Sequence, residues 1–210
     1  PFIPETNINA SNCLDHKNLS QSLKNCKINK FPNSRTIYFV GDSLNEALSQ
    51  AAGVVSKNLK NNIFVHSRRG TLFPVNSFYL KGDSSRGLGK KERFENDKIQ
   101  NEFKKFILEK IKRNDIVVIT NFYPEQFSVT NLNGIDSQEF VYFDVSGNEL
   151  NNKEEFFIDW LKNLEDFINK LKDKKAKIIF TKAGPFFRES RFEGVTGGIS
   201  SICTKEWFRI

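Results

Sequence analysis

The segment "TIYFVGDSLNEAL", residues 36–48, contains the transition from strand to helix that determines the fold. Its first five residues form a short, continuous run of apolar and β-favouring side chains, which predicts a fully buried strand. Apolar residues then recur at helical spacing, which predicts an amphipathic helix. The predicted inward face of this helix consists of Leu44, Ala47, Leu48, Ala51, Val55 and Leu59.

The same alternation of strand and helix continues along the chain. Further strands are predicted at "NIFVH" (62–66), "DIVVIT" (115–120) and "AKIIFT" (176–181), and further helices at "KIQNEFKKFILEKIK" (98–112) and "EEFFIDWLKNLEDFINKLK" (154–172). The last helix is predicted to bury Phe157, Trp160, Leu161, Leu164, Phe167, Ile168 and Leu171. This order predicts an α/β fold: a three-layer sandwich with a flavodoxin-like parallel sheet and helices on both faces. The segment "FVYFDV" (140–145) is interpreted as an edge strand or a lid.

The length of 210 residues suits one principal domain with a small appendage. Residues 1–34 are polar and are predicted to form an irregular leader, and residues 35–210 the α/β domain. We interpret Cys13 and Cys26 as a disulfide closing a short loop, because they lack the Cys-x-x-Cys spacing of metal or redox sites. A disulfide favours an extracytoplasmic compartment. The alternative is a pair of free thiols in a cytosolic, flavodoxin-like binding protein.

Several kinds of partner are disfavoured by the sequence. The net charge is +7, yet no nucleic-acid-binding module is recognisable, so no nucleic acid is predicted to bind. The segment "RGLGK" (86–90) fails as a phosphate-binding loop, because that motif requires glycine at position 84 and Ser or Thr after Lys90. Neither a metal nor a cofactor is predicted. The apolar runs are too short for a membrane helix.

The tripeptide Gly-Asp-Ser occurs twice, at 41–43 and at 82–84. Ser43 stands where a buried strand meets a helix, whereas Ser84 lies in a basic, glycine-containing loop. The first turn of a helix offers unpaired backbone N–H groups and a partial positive charge, which can stabilise an oxyanion. Ser43 is therefore the candidate nucleophile. The structural alternative is a serine that only caps the helix.

Two further candidates follow the second and third predicted strands. Gly70 could present a backbone N–H, and Asn121 could present a side-chain amide. Ligands of parallel sheets bind at the carboxyl ends of the strands, where these two positions and Ser43 would meet. The three residues are therefore predicted to form one catalytic site.

This arrangement resembles the SGNH, or GDSL-like, hydrolase superfamily, whose members use a serine, a glycine, an asparagine and a late histidine. Ser43 in "FVGDSLNEAL" matches the nucleophile, and Gly70 and Asn121 match the second and third blocks. The cysteine-bearing leader, "FTKAGPFFRES" (180–190) and "ICTKEWFR" (202–209) look more narrowly like the SGNH domain fused to acyltransferase-family-3 membrane proteins.

The chain departs from the family pattern at the general base. The family places its Asp and His in a C-terminal Asp-x-x-His motif, whereas this sequence has only His16 and His66, neither in that context. We expect that the chain is cropped before its last elements. The alternatives are a noncatalytic relative and, third, His66 as a substitute base.

The resemblance implies a serine esterase or O-acyltransferase that acts on acyl, above all acetyl, esters of cell-surface or cell-wall polysaccharide. Its partners would be an acyl donor, a glycan acceptor and a fused membrane acyltransferase domain. Its location would be periplasmic or on the cell surface, with a tether to the membrane. The runner-up function is a noncatalytic glycan-binding or scaffolding module that retains the fold.

Overall fold

The structure, a computed structural model, describes residues 13, 18–28, 31–68, 71–74, 78–80, 90–121 and 140–181. The described helices are α1 (Leu19–Asn25), α2 (Ser43–Leu59), α3 (Lys90–Lys110) and α4 (Lys153–Asp173). The described strands are β1 (Lys27–Ile28), β2 (Thr36–Gly41), β3 (Asn62–Ser67), β4 (Phe78–Leu80), β5 (Ile116–Thr120), β6 (Phe140–Phe143), β7 (Glu149–Leu150) and β8 (Lys177–Phe180). All four strands predicted for the central sheet are present.

Among the described strands, five form the main sheet in the order β1-β3-β2-β5-β8. Strands β3, β2, β5 and β8 are parallel to their neighbours, and only the short edge strand β1 is antiparallel. Strand β2 is central, with Gly41 opposite Ser67 of β3 and Thr120 of β5. The predicted α/β fold with a parallel sheet is confirmed.

Helices cover both faces of this sheet. Helix α2 packs on one face, where its Ala52 joins a cluster that includes Ile37, Ile63 and Val118. Helices α3 and α4 cover the other face with a larger, aromatic-rich cluster containing Tyr38, Phe103, Phe156, Trp160 and Phe167. Alternation along the strands produces this division, because neighbouring residues point to opposite faces. The predicted three layers are present.

A second, antiparallel sheet has the described order β4-β6-β7. The segment "FVYFDV", predicted to be an edge strand or a lid, contains β6, which pairs with a strand on each side and is therefore the middle strand of this small sheet. Phe78 of β4 packs edge-on against Phe156 of α4, with ring centroids 5.8 Å apart. The small sheet is thus attached to the core through α4.

The segment predicted as an irregular leader contains regular structure. Helix α1 begins after Asn18, whose side chain accepts a hydrogen bond from the backbone N–H of Gln21, and β1 pairs with β3. The predicted disulfide joins Cys13 to Cys26, and both cysteines are buried. The structure therefore contradicts the alternative, in which Cys13 and Cys26 are free thiols.

The buried faces of two helices differ from the predicted ones. In α2, Ala51 and Leu59 are exposed, whereas the small or polar residues Asn45, Ala52 and Ser56 are buried. These three share a face because they are seven and four residues apart. In α4, Phe156 is buried and the predicted core residues Phe157 and Leu161 are exposed. The face of α2 that packs against the sheet carries small side chains. The periodicity of large apolar residues therefore did not predict this face.

Candidate active site

Ser43 is the first residue of α2 and follows the central strand after a single intervening residue, Asp42. Because β2 lies between β3 and β5, its carboxyl end is flanked by the carboxyl ends of two parallel neighbours. The backbone N–H of Asp42 donates to the carbonyl oxygen of Thr120 at 3.1 Å, which continues the β2–β5 pairing beyond Gly41. Asp42 itself is buried. The turn before Ser43 is therefore held against β5.

The geometry of this turn requires glycine at position 41. Gly41 has a φ of +155°, and a Cβ atom there would lie 1.6 Å from the carbonyl oxygen of Thr120. No side chain can be accommodated at that separation, since a backbone atom blocks it. The carbonyl oxygen of Gly41 also accepts a hydrogen bond of 3.1 Å from the N–H of Arg68. The turn is thus fixed from both neighbouring strands.

Asn45, in the first turn of α2, is a site residue that the sequence analysis did not identify. Its fully buried Nδ2 donates to the carbonyl oxygen of His66 at 3.0 Å and to Oγ of Ser67 at 2.9 Å. These bonds attach the start of α2 to the end of β3. The sequence offers no local signal for Asn45, because this position is not on the predicted apolar face of α2.

Asn121 follows β5 directly, as predicted, and its side chain is fully buried. Its Nδ2 donates to the carbonyl oxygen of Phe73 at 2.8 Å, and its Oδ1 accepts from the N–H of Phe73 at 3.2 Å. This pair of bonds fixes the plane of the carboxamide and holds the segment 71–74. The predicted partner Gly70 lies outside the described residues.

Gln100 of α3 supports the same turn from the opposite helical layer. Its Nε2 donates to Oγ1 of Thr71 at 2.9 Å and approaches the carbonyl oxygen of Gly41 at 3.4 Å. The Thr71 hydroxyl in turn donates to the carbonyl oxygen of Arg68 at 3.1 Å. Gln100 is fully buried and lies three residues before Phe103 on the apolar stripe of α3. A glutamine within that stripe was the sequence signal for this role.

His66 is poorly placed to serve as a substitute base for Ser43. Its ring stacks on Phe103 of α3 with centroids 4.3 Å apart, and its Nδ1 lies 3.1 Å from Oγ of Ser22. The ring is buried on the face of the sheet opposite α2. The structure therefore does not support this base. His16 lies outside the described residues.

The described residues offer no obvious metal site, since they contain no group of three or more His, Cys, Asp or Glu side chains suited to one. In the same part of the chain, no helix combines the length and apolar character needed to cross a membrane.

The chain matches a family model described as "SGNH domain (fused to AT3 domains)" over residues 12–198. The match covers most of the 210 residues, and the protein therefore belongs to this family of SGNH domains. The family description also states the fusion to AT3 domains.

A solved structure similar to this chain is the periplasmic domain of a lipopolysaccharide acetyltransferase from Salmonella ser. Paratyphi A. The two are 18% identical, with a TM-score of 0.44, and the alignment covers 80% of this chain and 51% of that structure. The chain thus spans about half the length of that domain. No curated protein matches the chain.

Proposed function

We propose that this chain is a serine esterase or O-acyltransferase domain acting on acyl, above all acetyl, esters of cell-surface or cell-wall polysaccharide. Membership in the SGNH family supports the acyl-transfer chemistry. The observation that carries the proposal is the tight turn at Gly41, which brings Ser43 to the first position of α2 at the carboxyl edge of the central strand.

Ser43 is the proposed nucleophile. Its hydroxyl oxygen attacks the acyl carbonyl carbon, and the carbonyl oxygen becomes an oxyanion in the tetrahedral intermediate. The first turn of α2 supports this role, because a helix N-terminus favours negative charge through its unpaired N–H groups. The intermediate collapses as the bond from the acyl carbon to the donor's leaving group breaks, and the leaving group departs with the proton that the base removed from Ser43. The acyl group then passes from the serine to water or to a glycan hydroxyl, whose proton returns through the base to the serine oxygen.

The proposed oxyanion donors are the backbone N–H groups of Ser43 and Gly70 and the side-chain amide of Asn121. A side-chain amide nitrogen is a hydrogen-bond donor, and Nδ2 of Asn121 donates to the Phe73 carbonyl oxygen at 2.8 Å. The bonds from Asn121 to the Phe73 backbone would also preorganise the donor. Preorganised donors stabilise the transition state because they need no reorientation during the reaction.

The proposed base is a histidine other than His66. A general base must lie within hydrogen-bond distance of the serine hydroxyl, whereas the His66 ring is stacked on Phe103 on the far side of the sheet. The proposal therefore keeps the family's late Asp-x-x-His pair as the proton acceptor and its orienting carboxylate.

The proposed partners are an acyl donor, a glycan acceptor and a fused or associated membrane acyltransferase domain. The family description, with its fusion to AT3 domains, supports a membrane partner. The disulfide between Cys13 and Cys26 supports an extracytoplasmic location, where disulfides persist. We propose that this domain is tethered to the membrane by a segment preceding it.

The test is Ser43→Ala in the complete protein that contains this chain, assayed for hydrolysis of an aryl acetate and for glycan acylation. We expect activity to fall by at least about a thousandfold, because no other group replaces the attacking oxygen. Ser84→Ala changes the serine of the second Gly-Asp-Ser tripeptide and is the matched control, with unchanged activity expected. Unchanged activity of Ser43→Ala would remove the nucleophile assignment.

The second candidate is a noncatalytic module that binds glycan on the same fold. The observation that favours it is the placement of His66, which leaves the described residues without a histidine base beside the turn. This candidate predicts that Ser43→Ala binds glycan normally and that the parent protein has no esterase activity. Assays of the parent protein, Ser43→Ala and Ser84→Ala therefore distinguish the enzyme from the noncatalytic module.

A further inference from the structure

A cavity lies at the amino edge of the main sheet, opposite the edge that carries Ser43. Its volume is about 680 Å³. Its lining comes from the starts of β2, β3 and β8 and from the segment between α3 and β5, and comprises Phe31, Pro32, Asn33, Ser34, Arg35, Thr36, Asn62, Lys110, Lys112, Arg113, Asn114, Asp115 and Lys177. Because parallel strands all begin at this edge, the cavity is separate from the candidate active site.

Cations dominate the lining. Five of these residues carry a positive charge, namely Arg35, Lys110, Lys112, Arg113 and Lys177, against one carboxylate, Asp115. Asp115 is buried and engaged by backbone: its Oδ1 accepts from the N–H of Thr36 at 2.7 Å and its Oδ2 from the N–H of Lys112 at 2.8 Å. Within the described part of the chain, none of the five cations forms an ion pair. The lining residues therefore carry five positive charges against one negative charge.

The end of α3 explains only part of this charge. Lys110 lies in the last turn of α3, where a cation is stabilised by the helix dipole. Arg35 directly precedes β2 and Lys177 is the first residue of β8, so neither is stabilised by a helix dipole in this way. Like charges gathered from three separate chain segments repel one another, and a bound anion would relieve that repulsion.

The walls are fixed by hydrogen bonds that do not involve the side chains of the five cations. The Asn62 carboxamide exchanges two bonds with the backbone of Phe31, at 3.0 and 3.1 Å, and the N–H of Asn62 donates to the Arg35 carbonyl oxygen at 3.0 Å. The N–H of Lys177 donates to the carbonyl oxygen of Asp115 at 2.8 Å. These bonds hold the backbone of the cavity wall in place, which lowers the ordering cost of binding.

We propose that this cavity binds an acidic saccharide, a sugar chain that carries carboxylate or phosphate groups. Lysine and arginine recognise such anions by charge-assisted hydrogen bonds. The uncharged polar residues of the lining, among them Asn33, Ser34 and Asn114, can bond sugar hydroxyls. A membrane-binding surface would instead present large apolar side chains for insertion, and the lining has only Phe31 and Pro32. The site does not depend on the proposed role of Ser43.

The test measures binding of a defined probe to the 210-residue chain by titration calorimetry. The probe is an oligogalacturonate, which carries one carboxylate on each sugar, and a maltooligosaccharide of equal length is its uncharged counterpart. We expect the acidic probe alone to bind, with affinity that falls as salt is raised. Lys112→Gln with Arg113→Gln should weaken binding about tenfold, since each variant removes one charge-assisted contact.

The matched control is Lys98→Gln with Lys162→Gln, which removes the same charge from exposed positions outside the cavity. Its affinity should stay within about twofold of the parent, because screened distant charges contribute little. Equal weakening in the two double variants, or no binding of the acidic probe by the parent chain, overturns the proposal. Binding to phosphatidylcholine vesicles that contain phosphatidylglycerol, without binding to the oligogalacturonate, also overturns it. Each variant is also checked for an unchanged unfolding transition. We expect no change in Lys112→Gln with Arg113→Gln, because both side chains are exposed.

Discussion

The two edges of the main sheet are built in opposite ways. At the carboxyl edge, polar groups are buried and bonded to one another: Asn45 to the end of β3, Gln100 to Thr71, and Asn121 to the backbone of Phe73. At the amino edge, the five cations are exposed and have no side-chain partners among the described residues.

This difference supports the two separate functions proposed above. Buried, mutually bonded groups fix a few atoms in place, which a reaction with a defined trajectory requires. Exposed cations on a preformed wall attract an anion with a strength that depends on how many charges the ligand carries rather than on their exact positions. Such attraction suits a repetitive, flexible ligand. Substitutions at the carboxyl edge should therefore cost much stability, and those at the amino edge little.

The largest effect is expected from Gly41→Ala. The new Cβ would lie 1.6 Å from the Thr120 carbonyl oxygen, so β2 and β5 would have to separate at this point. We expect a loss of about 4 kcal/mol or more in the free energy of unfolding, or failure to fold. The measurement is denaturation by urea.

Gly147→Ala is the matched control for this substitution. Gly147 also has a positive φ, of +85°, but nothing lies within 4 Å of the position of its Cβ. Only backbone strain remains, and we expect a loss of about 1 kcal/mol. Equal losses at the two glycines would contradict the close approach described at the carboxyl edge.

Asn121→Ala should have the next largest effect. It leaves the N–H and the carbonyl oxygen of Phe73 without their bonds to the Asn121 carboxamide in a buried environment. Each unsatisfied buried group costs about 1–3 kcal/mol, so for the two groups we expect a total loss of about 2–6 kcal/mol in the free energy of unfolding. Asn169→Ala, at an exposed position of α4, should change it by less than about 0.5 kcal/mol. A similar, small change at both positions would show that Asn121 does not hold the segment 71–74.

His66→Phe tests whether this buried histidine has only a structural role. Phenylalanine can keep the stack on Phe103 but cannot bond Ser22, so we expect a loss of about 1 kcal/mol in the free energy of unfolding. Esterase activity per folded molecule should stay unchanged in the complete protein. A large fall in activity with normal stability would identify His66 as the base and contradict its assignment to the core.

The smallest change in stability is expected at the amino edge. Lys112→Gln with Arg113→Gln should alter the free energy of unfolding by less than about 0.5 kcal/mol, because the side chains are exposed and unpaired. Any change should be a slight stabilisation at low salt that disappears at high salt, since like charges are removed. A loss above about 1 kcal/mol in the free energy of unfolding would show that these cations stabilise the fold, and would argue against a role in ligand binding alone.

The sequence predicted the central layers well because their signals are local. The buried strands are continuous β-favouring runs, and α3 carries a clear apolar stripe at Ile99, Phe103 and Ile107. Helix α3 nevertheless begins at Lys90, eight residues before the predicted start. Residues 90–97 are highly charged and show no helical periodicity of apolar residues, so this part of α3 was not predicted.

Other features depend on tertiary contacts and could not be predicted from local patterns. Strand β1 has two residues and exists because β3 offers an edge with which it pairs. The partners of Asn45 and Gln100 lie on strands and loops distant in sequence. The position of Ser43 after the central strand was predictable, since strand, turn and helix are adjacent in the chain. The cations of the separate cavity come from three segments that only the fold brings together.

The most direct test of the central claim is covalent labelling of the complete protein by a fluorophosphonate, followed by trypsin digestion and mass spectrometry. Trypsin places Ser43 in the peptide 36–57 and Ser84 in the peptide 82–86, so the two Gly-Asp-Ser tripeptides are read separately. An activated serine nucleophile predicts the phosphonyl adduct on peptide 36–57 alone, and its loss in Ser43→Ala. An adduct at Ser84, or an unlabelled peptide 36–57 in a protein that still hydrolyses aryl acetates, would contradict the account.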